Sequence, residues 1–161
     1  MSDPHDLARF VAAQNRDFAI ALAELQAGRK TSHWMWYIFP QAVSLGRSQT
    51  AIFYGIRSTD EAQAYLRHPI LGDHLRQAAE ALLRHPDRTA AAIMGDVDAL
   101  KLRSSMTLFA AVADDPAPFQ AVLDTFYDGE ADPRTLALLQ EEGTGAVAPP
   151  PGPAGAASPR E

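Results

Sequence analysis

Two short stretches hold the residue types best suited to chemistry. In the first, His33 stands among Trp34, Trp36 and Tyr37. An imidazole desolvated by such neighbours stays neutral near pH 7, the form a general base needs. The same surroundings equally suit a packing histidine that donates one hydrogen bond to a carbonyl. In the second stretch, Lys101 precedes Ser104 and Ser105 by three and four residues, so on a helix it lies beside both. A desolvated lysine can act as a base toward a serine hydroxyl. It can also be a point charge for a phosphate or carboxylate, with the hydroxyls donating hydrogen bonds. Its neighbours Leu100, Leu102, Met106, Leu108 and Phe109 are apolar, which predicts a largely buried helix. A buried lysine needs a partner, either an internal carboxylate or a ligand.

Gln41 and Ser48 flank the loop that follows the aromatic stretch. Both suit a pocket wall, and both suit satisfying the loop backbone. Trp34 and Trp36 offer faces for stacking on a flat ring, or bulk for the core. The expected site therefore brings the His33 segment against the Lys101 helix. His33 and Lys101 are the catalytic candidates, and Trp34, Gln41, Ser48, Ser104 and Ser105 the ligand-binding ones. No metal is expected. The chain has no cysteine, and no two of His5, His33, His68, His74 and His85 stand one helical turn apart. No Gly-rich phosphate loop or nucleophile elbow occurs, and no cofactor is indicated.

Helices must position these residues. Leu7, Phe10, Val11, Phe18, Leu22 and Leu25 fall on one face and predict a helix over 3–27, with Asp3 as cap, Pro4 at its first position and Gly28 as its stop. The aromatic stretch, 32–41, reads as a short buried helix stopped near Pro40, with a strand as the alternative. Gly46 centres a loop, and 50–56 reads as a short helix. Ser58 and Glu61 fit a capping box opening a helix that ends at His68-Pro69. Further helices follow around Leu75, over 89–94, from Asp96 through Ala111, and over 116–127 and 133–140. The expectation is an all-α, single-domain bundle of about six to eight helices over residues 1–142. From Gly143 to Glu161 the chain is Gly, Pro and Ala-rich, with nothing to bury, and reads as a disordered tail.

Composition narrows the function. Hydrophobic residues make up 47% of the 161, enough for a true core. A formal net charge of −6 argues against nucleic acid as a partner, since that affinity comes largely from Lys and Arg neutralising phosphates. Arg29, Lys30 and Arg47 are too sparse a basic set to reverse this. No apolar run approaches the roughly 20 residues of a membrane span. No secretory leader is apparent, and the lack of cysteine suits a reducing cytoplasm.

The run Ser32-His33-Trp34-Met35-Trp36-Tyr37-Ile38-Phe39-Pro40-Gln41 resembles the signature of a bacterial and fungal family, domain of unknown function 1810. Later segments fit as well: Gly46 to Ser48, Glu61-Ala62 with Tyr65-Leu66, His68-Pro69 with Leu71-Gly72, and Asp96 followed by the run from Lys101 to Phe109. The resemblance spans roughly residues 5–140. It implies a compact all-helical domain of the bacterial cytoplasm, and brings with it no established activity or cofactor. Some members carry a calpastatin label, but no protease-inhibitor repeat is visible here.

Three functions fit these residues. One is a small-molecule site for an anionic ligand such as a nucleotide or dinucleotide fragment, with or without catalysis. The second is a non-catalytic protein-interaction module whose polar motif residues are structural, acting through a surface patch or the Pro-rich tail. The third, a hydrolase built on a Ser-Lys or Ser-His pair, lacks any visible oxyanion-hole element.

Overall fold

Apolar residues repeat every three or four positions through most of the chain, and helices follow wherever they do. In the computed structural model the described residues are 3–144. They form nine α-helices: α1 (Ala8–Ala27), α2 (Met35–Ile38), α3 (Gln49–Phe53), α4 (Thr59–Arg67), α5 (Leu71–Leu83), α6 (Ala90–Met94), α7 (Asp96–Val112), α8 (Ala117–Phe126) and α9 (Pro133–Thr144). Among the described residues there is no strand. One parallel bridge joins Ala42 to Ile56, and a single 3-10 turn covers Val43–Leu45. No helix among them is long and apolar enough to cross a membrane.

The all-α expectation holds, with local corrections. α1 begins at Ala8 rather than beside Pro4. Asp3 still caps, but its carboxylate accepts from the amides of Leu7 and Ala8 across a turn in which Asp6 takes a positive φ. Gly28 does end α1, at φ 79°, a left-handed conformation in which glycine has no Cβ to clash. The expected tail lies outside the described residues, except that α9 runs on past Gly143.

α7 is the central helix, packing against α4, α6, α8 and α9. Its partners explain why it is apolar on nearly every side: Leu102, Met106, Leu108 and Phe109 are all buried. α5 joins α1, α4 and α8 on the other side of the core. Phe10, Trp34, Phe39, Tyr65, Phe109 and Phe119 fill the interior at 1% exposure or less.

A buried ion pair links α1 to the middle of the chain. Arg9 donates to Glu61 at 2.7 Å and to the carbonyls of His5, Asp6, Phe53 and Gly55. All the cation's donor directions are thereby used, which a buried charge requires. Ser58 caps α4 as expected, accepting from the Glu61 amide. Glu61 does not return the bond to Ser58. It turns to Arg9 and to the backbone and guanidinium of Arg57.

Candidate functional site

Three separate segments meet around one cleft. The loop after α2 is held at its start by the bridge to Ile56, whose amide donates to the Gln41 carbonyl (2.9 Å) and whose carbonyl accepts from the Val43 amide (2.8 Å). Gly46 lets this loop lie directly on α3: a Cβ there would come within 2.6 Å of the Ala51 Cβ. Ser48 caps α3, accepting from the Ala51 amide at 3.0 Å, which leaves its O–H able to donate elsewhere. Opposite the loop, α7 presents Val97, Leu100, Lys101 and Ser104, spaced i, i+3, i+4 and i+7 and therefore on one face. Arg134, in the first turn of α9, completes the wall.

The motif on α7 also holds that third segment in place. Arg103 donates to the carbonyls of Glu130 and Ala131, and Thr107 accepts from the Asp132 amide. Asp132 in turn caps α9 through Thr135. Arg103 and Thr107 thus dock the turn that delivers Arg134.

The cleft encloses about 270 Å³. Arg47, Lys101 and Arg134 line it, and among the described residues no carboxylate does. Gln41, Ser48 and Ser104 supply polar groups that carry no charge. The Lys101 side chain is 27% exposed and reaches Asp98 at 3.7 Å. Asp98 binds Lys30 much more closely, at 2.8 Å. The nearest carboxylate is therefore already engaged, and the Lys101 charge is only partly offset. The Lys101 ammonium also stands 5.6 Å from the centre of the Trp36 ring, within cation–π range. Trp36 lines a narrow recess that shares Gln41, Gly46, Ala51 and Lys101 with the main cleft. At about 10 Å³ the recess has room for no more than a water.

The structure sorts the candidates read from the sequence. Lys101, Gln41, Ser48 and Ser104 share the cleft. His33 does not. Its side chain is exposed rather than desolvated, because the one-turn helix α2 buries Met35, Tyr37 and Ile38 and leaves the residues before it at the surface. Trp34 is 1% exposed, with its indole N–H donating to Glu24 at 2.9 Å and Lys30 over its ring, so its faces belong to the core. Ser105 is fully buried beside Lys101 but turned inward. Among the described residues its hydroxyl is the one buried side-chain polar atom with no hydrogen-bond partner.

Arg47 and Arg134 are the additions. Arg134 did leave a signal: a cation in a helix's first turn opposes the helix dipole, and such local violations collect at functional sites. Among the described residues no group of three His, Asp or Glu side chains is gathered to hold a metal. A second cavity, about 110 Å³, lies between α4 and α9. Several of its polar groups are already paired. Ser58 caps α4, Thr59 donates to Glu142, and Thr135 binds Asp132.

Comparison with known proteins places these features in a family. The family model described as "Protein of unknown function (DUF1810)" matches residues 4–139. Among solved structures the chain is similar to the conserved hypothetical protein Rv1873 from Mycobacterium tuberculosis. The two are 48% identical, with a TM-score of 0.84 over 86% of this chain and 99% of that one. No curated protein matches.

Proposed function

The chain belongs to the DUF1810 family of proteins of unknown function, and from that premise and the cleft around Lys101 we propose that it is a cytoplasmic domain binding a small anionic ligand of nucleotide or dinucleotide-fragment size. One observation carries this reading. A chain of net charge −6 gathers Arg47, Lys101 and Arg134 from three segments into one cleft. An anion entering a cleft lined by cations and, among the described residues, by no carboxylate gains their combined attraction. Lys101 and the arginines hold the charge, while Ser48, Ser104 and the Gln41 amide fix its orientation. His33 has no part in this reading, since it is exposed and lines neither the cleft nor the recess.

Thermal unfolding against a panel of nucleotides, dinucleotides and sugar phosphates tests it. A ligand at about a hundred times its dissociation constant stabilises the fold by roughly 2.7 kcal/mol, a shift of several degrees. The shift is expected in the wild type and in His33→Ala, and lost in Lys101→Ala. A flat response from folded protein, or a shift retained in Lys101→Ala, rejects the reading.

One observation favours the interaction-module reading. Ile52 and Phe53 on α3 are 53% and 56% exposed, an adjacent apolar pair at the surface. In that reading a partner's affinity falls with Phe53→Asp or with deletion of residues 145–161, and is indifferent to Lys101. Affinity unchanged by either alteration sets it aside.

A further inference from the structure

Val97 and Leu100 are 65% and 68% exposed, and both line the cationic cleft. Leu45 faces the same space from the loop. Apolar side chains left this open lose the favourable transfer from water that burial brings, and a ligand covering them would recover it. Their order along α7 matters. Val97 and Leu100 come first, then Lys101, then Ser104, all on one face of the helix. At about 1.5 Å per residue the face runs roughly 10 Å from its apolar end to its polar end.

Resting on the anion reading above, we infer that the ligand is an amphipathic phosphate monoester. Its phosphate sits at the Lys101–Ser104 end, toward Arg134, and an apolar body lies along Val97 and Leu100 against Leu45. Lys101 and Arg134, with the hydroxyls of Ser48 and Ser104 and the Gln41 amide, suit a phosphate dianion, which offers more acceptor oxygens than a carboxylate. The volume of about 270 Å³ takes a phosphate and one ring or a short chain. Val97 and Leu100 are then the specificity-determining residues. They select against phosphates whose body is polar, because a sugar gains nothing from aliphatic walls and loses water it had bound.

Calorimetric titration with inorganic phosphate, ribose 5-phosphate, phenyl phosphate and hexyl phosphate tests the inference. Phenyl or hexyl phosphate is expected to bind about tenfold or more tighter than the first two, as burial of two or more methylene equivalents implies. Comparing phenyl with hexyl tells whether the body is a ring or a chain. In Val97→Asn/Leu100→Asn that preference should vanish while inorganic phosphate binds as before. Both positions are exposed, so the melting temperature should hold. Equal affinity for all four probes overturns the amphipathic ligand and leaves the anion reading standing. The same holds for a preference that survives in the double variant. No binding by any probe overturns both.

Discussion

Lys101 shares Asp98 with Lys30, and the sharing is unequal. Lys30 is 7% exposed and holds the carboxylate at 2.8 Å; Lys101 reaches it at 3.7 Å. Asp98→Asn should therefore separate the two roles. The protein should melt lower, because Lys30 is left buried without its acid. Its affinity for a phosphate ligand should rise roughly three- to tenfold, about 1 kcal/mol, as the Lys101 charge is unmasked. Calorimetry and melting on the same sample check both, and unchanged or weaker affinity counts against the anion cleft. The two serines differ in the same testable way. Ser105 carries a buried hydroxyl without a partner, so Ser105→Ala should leave stability unchanged or raise it by up to about 1 kcal/mol. Ser104 makes only a long 3.4 Å bond to the Leu100 carbonyl, so Ser104→Ala should spare stability and weaken the ligand. Denaturant unfolding of both variants, with affinity measured for the second, separates them. The sequence showed that Lys101 neighbours both serines. Which one faces the cleft depends on how α7 is rotated against its four packed partners, and no local pattern encodes that.

The elements around the cleft are short, and that limited what could be read ahead. α1, α5 and α7 repeat their apolar face over three or more turns; α1 stops at Gly28, α5 before Pro86, and α7 starts directly after Gly95, and each of these boundaries is chemical. α2 is a single turn, too short for periodicity to say which aromatic points inward. Trp34 was the natural choice for stacking, but Glu24 and Lys30 hold it in the core and Trp36 borders the cleft instead. The loop from Gln41 to Ser48 depends on Gly46 for its approach to α3. Gly46→Ala should cost about 1–3 kcal/mol of overpacking and open the cleft. Ala51→Gly in the same chain should restore both, because it removes the atom in the way. If the single variant melts and binds like the wild type, the close approach is not what shapes the site.

Across the whole molecule, a few polar hubs fix the long helices relative to one another. Arg9 with Glu61 is one. Glu24 is another, accepting from the Thr31 and Ser32 amides, the Ser32 hydroxyl and the Trp34 indole. Burial alone would raise the Glu24 carboxyl, but these hydrogen bonds, led by that from Ser32, bring it from 4.5 down to about 2. Its folded pKa is depressed, so its stabilisation is complete above about pH 4.5 and is lost as pH falls toward about 2. Glu24→Gln should thus melt below the wild type at neutral pH, with the gap closing across that acid window in a pH series of unfolding curves. A gap that stays constant with pH contradicts the hub. None of this was visible in the sequence, because each hub joins residues that only the tertiary fold brings together. The cationic cleft is likewise a property of the assembled chain, and calorimetry with phenyl phosphate at low and high salt tests it most directly. Binding should weaken as salt rises and disappear in Lys101→Ala/Arg134→Ala, with the melting temperature of that variant little changed. The same heats in wild type and double variant, or no heat from the wild type at low salt, would contradict it.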